Sequence, residues 1–286
     1  MPANPTAADD ADEIVGELLP LVRRFCAGPC AVALGGSIAK GTGDALSDVD
    51  VYLFADAVLP GDERREIVRE ALGDGARAVS WGRDGELAEG GTDFWHRGRK
   101  VECWLRSATH VERAIDACVR GEVRRDYVFW TVMGFFTHAV LADVRAMRIV
   151  EDADGMLARW KARVAEYPEA LRREIVGRYL AEAKFWPENF HYRTAVQRRD
   201  AIYTSGIVQQ TVHALVQVVF AINREYFPGE KRLGELMERL PALPPAFTER
   251  VRALLHPGGE ASVERLEAQR LELAALVAEV DRLAGS

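Results

Sequence analysis

Two glycines and a serine close one apolar run, and two alternating aspartates open the next. No other feature constrains this chain as tightly. Ala31-Val32-Ala33-Leu34 leads into Gly35-Gly36-Ser37, and a short loop later Asp48-Val49-Asp50 opens Val51-Tyr52-Leu53-Phe54. Strand side chains alternate faces, so Asp48 and Asp50 point the same way. Two carboxylates side by side repel unless something positive sits between them. Hard oxygen donors at that spacing suit Mg²⁺, which takes one or two carboxylates and completes its shell with substrate phosphates. Gly35 and Gly36 lack Cβ atoms, so the backbone can turn sharply and bring N–H groups close to an anion. Ser37 adds a hydroxyl at the start of a short predicted helix, where unpaired amides favour phosphate. The loop is neither a Walker A motif nor Gly-x-Gly-x-x-Gly. Either half alone is consistent with a plain strand–turn–strand bearing solvent-facing acids. Together they point to a metal–phosphate site.

The 286 residues suffice for one large or two ordinary domains. With 48% hydrophobic and 28% charged residues, the composition is that of a soluble globular protein. A net charge of −7 argues against extended nucleic-acid binding, although Arg193, Arg198 and Arg199 leave a local polyanion contact open. Cys26, Cys30, Cys103 and Cys118 show no zinc spacing, so a reduced, cytoplasmic setting is expected. Met1 to Glu13 carries acids and no base, which is not the start of a signal peptide. The uncharged run from Ala201 to Asn223 holds too many Gln, Thr, Ser and His residues for a membrane span. It reads as the central helix of a bundle.

Periodicity predicts an opening amphipathic helix over Ile14–Phe25, kinked or split at Pro20. Strands follow at Cys30–Leu34 and Val49–Phe54, then a helix over Asp62–Leu72 and a short strand at Arg77–Trp81. Gly82 to Gly91 reads as a loop. Phe94–His96 and Lys100–Arg106 read as a hairpin across His96-Arg97-Gly98-Arg99. Thr109, with Glu112 three residues on, is expected to cap a helix. A strongly apolar helix is expected over Asp126–Ala142, and a last strand at Met147–Val150. From Met156 onward every periodic segment is helical and punctuated by prolines, ending in an amphipathic helix over Val263–Leu283. The expected fold is therefore α+β, a small mixed sheet domain over 1–154 followed by an all-helical bundle over 155–286.

Leu34-Gly35-Gly36-Ser37 and Ser47-Asp48-Val49-Asp50-Val51 resemble the signature of the nucleotidyltransferase superfamily, which includes DNA polymerase β and the antibiotic nucleotidyltransferases. That resemblance implies a third acid on a later strand. Glu102 is the sole acid of Lys100-Val101-Glu102-Cys103-Trp104-Leu105 and takes that place; otherwise it is an exposed strand residue paired with Arg99 or Arg106. The two-part layout is similar to that of aminoglycoside and lincosamide nucleotidyltransferases. In such enzymes a helical-domain Tyr and Lys after an Asn contact the nucleotide or cap the cleft, and Tyr226 and Lys231 match them. A core tyrosine and a solvated lysine are the equal alternative.

The reaction implied is attack of an acceptor hydroxyl on the α-phosphorus of a nucleoside triphosphate, with release of pyrophosphate. Asp48, Asp50 and Glu102 are the expected catalytic and metal residues, holding two Mg²⁺ ions, with Glu102 as metal ligand or general base. Gly35, Gly36, Ser37 and Lys40, with Tyr226 and Lys231, are the expected nucleotide contacts, and ATP is the expected donor. Glu182, Glu188, Asp200, Trp186 and Tyr192 are weaker candidates for the acceptor. The expected function is transfer of AMP to a small-molecule hydroxyl, such as an aminoglycoside- or lincosamide-like antibiotic. The alternatives are transfer to a protein or tRNA, as in toxin–antitoxin members, or an inactive nucleotide-binding regulator. No membrane partner is expected, and the chain is expected to be a monomer or homodimer.

Overall fold

The computed structural model describes residues 7–44, 46–82, 89–127 and 131–285. The chain forms two compact units, Met1–Ala117 with Phe135–Glu166, and Cys118–Gly134 with Tyr167–Ser286. The expected α+β class is correct, but a single cut at residue 154 does not describe this division. The helix Met156–Arg163 stays with the first unit. Its Trp160 ring packs edge-on against Phe54, with centroids 5.5 Å apart, and its indole donates to Glu112. Cys118–Gly134 joins the second unit instead. There the Val123 carbonyl accepts from Arg178, and the Val132 and Met133 amides donate to Glu230.

The first unit begins with α1 (Ala7–Arg23), which runs unbroken through Pro20. Proline there removes only the one hydrogen bond to the Gly16 carbonyl, near the end of the helix. The elements β1 (Ala31–Leu34), α2 (Gly36–Ala39), β2 (Val49–Phe54) and α3 (Gly61–Leu72) follow, then β3 (Val79–Trp81), β4 (Gly91–His96), β5 (Arg99–Arg106) and α4 (Ala108–Val119). Residues 83–88 of the expected Gly82–Gly91 loop lie outside the described residues. The predicted hairpin closes on Arg97 and Gly98, whose φ values of 49° and 76° are those of a two-residue turn matched to strand twist. Ser107, not Thr109, caps α4 by accepting the His110 amide at 3.2 Å, while Thr109 Oγ donates to Asp56.

The expected helix over Asp126–Ala142 is not formed as such. Short strands β6 (Arg125–Asp126) and β7 (Phe135–Phe136) take its first half, and α5 (Thr137–Ala146) starts only at Thr137. Gly134 has φ 92°, which an α-helix cannot contain, and residues 128–130 lie outside the described residues. The unit ends with β8 (Arg148–Glu151) and α6 (Met156–Arg163).

The six-stranded sheet has the order β3-β4-β5-β2-β1-β8, and only β2 and β5 run parallel. Alternation splits its residues cleanly. Val49, Val51, Leu53, Val101, Cys103 and Leu105 face the core under α1 and α3, with Ile14, Leu18, Ile67 and Val68. The opposite face carries Asp50, Tyr52, Glu102, Trp104 and Arg106.

The second unit holds α7 (Glu169–Phe185), α8 (Phe190–Gln197), α9 (Ala201–Ile222), α10 (Leu233–Met237), α11 (Phe247–Leu255) and α12 (Val263–Gly285). As expected, α9 is the centre of the bundle, packed on α7, α8, α11 and α12. It is long and apolar enough to cross a membrane by length and composition, and 67% of its most apolar window is buried inside the protein. The end helix, α12, sits where periodicity placed it.

Candidate active site

The parallel pairing of β2 with β5 sets Asp50 directly opposite Glu102. Asp48, one residue ahead of β2, lies on the same side. On the other flank of β5, the antiparallel register places Asp93 of β4 opposite Glu102 as well. Four carboxylates therefore come from three neighbouring strands and the entry to one of them, and three of the four, Asp48, Asp50 and Glu102, are the expected ones.

Lys100 projects into this group. Its ammonium pairs with Glu102 and stands 3.5 Å from Asp93 and 3.7 Å from Asp48. Two indoles complete the wall. Trp81 Nε1 donates to Asp93 at 2.7 Å, and Trp104 Nε1 to Glu102 at 3.4 Å. The two rings meet edge to face with centroids 4.7 Å apart. Burial works to raise the Glu102 pKa, but the Lys100 ammonium outweighs it, so the carboxyl titrates below its ordinary value. At Asp93 burial wins, reinforced by the Glu102 charge against the opposing Trp81 bond, and the carboxyl titrates above its ordinary value. The neighbouring acids are thus pushed apart, which is how one site keeps a base and an acid together. Burial tends to lower the Lys100 pKa, and pairing with Glu102, Asp93 and Asp48 raises it well above the usual lysine value.

The two glycines serve a different purpose from the one expected. Gly36 has φ 62°, and a Cβ built on it would stand 1.7 Å from an Asp50 carboxylate oxygen. A Cβ on Gly35 would stand 2.2 Å from the Tyr52 ring. The missing side chains thus make room for Asp50 and Tyr52. The Gly35 amide donates to the Asp50 carbonyl at 2.8 Å, and the Gly36 amide to the Tyr52 hydroxyl at 3.2 Å. Those two amides hold the loop on β2 and are not offered to an anion. Ser37 sits in α2, partly exposed, and its carbonyl accepts from the Thr42 amide and hydroxyl.

Lys40 is not the freely solvated lysine of a turn. It pairs with Asp143 of α5 at 3.0 Å, and Asp143 also takes Arg106 at 2.8 Å. The Arg106 guanidinium is 4% exposed and lies over the rings of Tyr52, Trp104 and Phe135 at 5.3–5.9 Å from their centroids. The same burial, with the charges of Asp143 and Asp50 nearby, pushes the Tyr52 hydroxyl far above its ordinary pKa. Asp93, Lys100, Trp81, Trp104 and Asp143 are not among the expected site residues, and Arg106, named only as a partner for Glu102, pairs with Asp143 instead. A usable signal existed for some of them. Lys100, Glu102, Trp104 and Arg106 share one parity along β5, as Gly91, Asp93 and Trp95 do along β4.

The candidates in the helical unit fare differently. Tyr226 is 4% exposed and stacked on Tyr167 with centroids 4.8 Å apart, which makes it a core residue and corrects the expected nucleotide contact. Lys231 is exposed. Tyr192 is wholly buried, Asp200 caps α9 through the Tyr203 amide, and Glu188 pairs with Arg193 and Arg270. A cavity of about 650 Å³ lies between the end of α3 and the β4–β5 turn, bordered by Leu72, Arg77, Trp95 and Arg97. Among the described residues no carboxylate lines it.

Among the described residues no three His, Cys, Asp or Glu side chains stand together as a self-sufficient metal cage, and Lys100 reaches three of the acids. The donor set still fits Mg²⁺ in kind. Its donors are hard carboxylate oxygens with a positive group already among them, and Mg²⁺ needs only one or two such carboxylates beside substrate phosphates.

Residues 135–233 match a family model described as a domain of unknown function, DUF4037. That segment begins after Asp48, Asp50, Asp93 and Glu102. No curated protein matches the chain. Among solved structures, the chain is similar to a nucleotidyltransferase-like protein from Exiguobacterium sibiricum, at 11% identity and a TM-score of 0.45, covering 97% of this chain and 77% of the other.

Proposed function

We propose that the protein is a Mg²⁺-dependent nucleotidyltransferase that moves a nucleoside monophosphate, AMP from ATP, onto a hydroxyl of a small molecule. The observation supporting this reading most is the register that puts Asp50 beside Glu102 with Asp48 on the same side, the glycine turn packed directly on Asp50. Asp48 and Asp50 are the residues that would hold the metal, together with the phosphates of the substrate. Bound there, Mg²⁺ would neutralise charge developing on the phosphate oxygens and acidify the acceptor hydroxyl.

Glu102 then has the properties of a general base. It is mostly buried, lies next to the aspartates, and is kept ionised by Lys100. It takes the proton of the acceptor hydroxyl as the bond from that oxygen to the α-phosphorus forms and the bond to the β-phosphate oxygen breaks. Ser37 supplies a hydroxyl donor at the turn, and Lys40, fixed by Asp143, supplies positive charge beside it for the departing pyrophosphate. In this reading the acceptor is a small polyhydroxylated molecule of the aminoglycoside or lincosamide type, and the enzyme works in the cytoplasm.

The test is pyrophosphate release from ATP with Mg²⁺ and a panel of such antibiotics, with the α-phosphate labelled. Label on an antibiotic, lost in Asp50→Asn, is the expected result. Label on tRNA or lysate protein would move the acceptor to a macromolecule. Nucleotide binding with no pyrophosphate release under any condition would leave a regulator instead.

A further inference from the structure

We infer that Lys100 is the resident cation of the carboxylate group, a positioning residue that holds Asp48, Asp93 and Glu102 together before the nucleotide arrives and competes with a divalent ion for them. This rests on the nucleotidyltransfer reading of the same acids and adds to it how the site is kept ready.

The argument starts from repulsion. Asp93 and Glu102 are Cα partners across β4 and β5, and Asp50 is the partner of Glu102 on the other side. Left without a cation, such a row of like charges is driven apart or takes up protons. Lys100 lies two residues before Glu102 on the same strand and so on the same face. Its ammonium reaches acids from β4, β5 and the entry to β2 at once. Here the reach is fixed by register, since Lys100 is itself the Cα partner of Trp95 at the end of the hairpin. The side chain is only about one-third exposed, so its pairing is screened less than that of a free surface pair.

One ammonium balances one charge, and three carboxylates face it. The site therefore remains net negative and attractive to a divalent ion, which must displace or share with Lys100. Entry of a triphosphate then supplies the acceptor oxygens that a displaced ammonium needs, so metal and nucleotide are expected to bind together more tightly than either alone.

Mn²⁺ is the probe, followed by its free-ion EPR signal, on the full chain without nucleotide. Wild type is expected to bind Mn²⁺ weakly. Lys100→Met is expected to bind it about tenfold more tightly, because a like charge has left the site, and Lys100→Arg is expected to stay weak. Circular dichroism checks that each variant folds. Should Lys100→Met not fold, wild type alone carries the test by acetylation footprinting, where millimolar Mn²⁺ is expected to speed modification of Lys100. Equal Mn²⁺ affinity in wild type and Lys100→Met, or a footprint indifferent to Mn²⁺, overturns the inference. The nucleotidyltransfer reading itself falls on a separate result, absence of Mn²⁺ binding even with a non-hydrolysable triphosphate present.

Discussion

The two ends of the β2–β5 pair carry the same kind of contact with opposite balance. At the upstream end one ammonium, Lys100, meets Asp48, Asp93 and Glu102. At the downstream end two cations, Arg106 and Lys40, share the single carboxylate of Asp143. The first end is partly open and negative; the second is closed beneath aromatic rings, its two cations set against Asp143 with Asp50 nearby. Arg106 even keeps its Nε and Nη1 without a hydrogen-bond partner in the protein and rests on ring faces instead. The same strand face thus changes from a partly open, carboxylate-rich rim to a buried, internally paired seam within a few residues.

The comparison breaks first at the acids. Asp50→Asn removes one charge from the negative end, and several kcal/mol of charge stabilisation is at stake in such sites. Pyrophosphate release is expected to fall about a thousandfold while circular dichroism stays native. At the buried end the loss is in folding. Asp143→Ala strands a buried guanidinium, and urea unfolding is expected to show about 3–5 kcal/mol of destabilisation. Gly36→Ala tests the seam between the two, since a Cβ there meets the Asp50 carboxylate at positive φ. A loss of about 1–3 kcal/mol is expected in the same assay, accompanied by weaker metal binding.

The smallest effect is the pH dependence, and its sign differs between neighbours. Glu102 titrates below its unfolded value, so its stabilisation is present above the ordinary carboxylate pKa and is lost as pH falls through the lowered folded value. Asp93 titrates above its unfolded value, so its contribution is full below that value and is lost as pH rises through the raised folded one. Asp93→Asn is therefore expected to raise the urea midpoint slightly at neutral pH and not at acid pH. An unchanged or lower midpoint at neutral pH would show that Lys100 needs Asp93 more than burial penalises it.

Much of the fold was legible because it is local. The alternation of Val49, Val51 and Leu53 against Asp50 and Tyr52 identifies β2, and Arg97-Gly98 marks the β4–β5 hairpin. The apolar run of α9 identifies the bundle centre. The helix expected over Asp126–Ala142 failed at Gly134, whose positive φ no hydrophobic pattern announces. The site was legible to the extent that it lies along one strand. Asp48 and Asp50 were plain, and Glu102 followed from resemblance. Asp93, Lys100 and Asp143 were not, because their role depends on which strands are neighbours and in which register, and pairing partners leave no mark on composition. The glycines were found for the wrong reason. Their freedom was assigned to an incoming anion, whereas the bulk they avoid is that of Asp50 and Tyr52.

The turn at Arg97-Gly98 carries a consequence of its own. Its two positive-φ residues leave no slack in how β4 and β5 line up. One added residue there would favour a slip by one position, and a slip by one exchanges every inward and outward side chain of a strand. Glu102 and Lys100 would then enter the hydrophobic interior, with Val101 and Cys103 on the outside. This two-residue connection bears none of the candidate acids, yet an insertion there would undo the face they share.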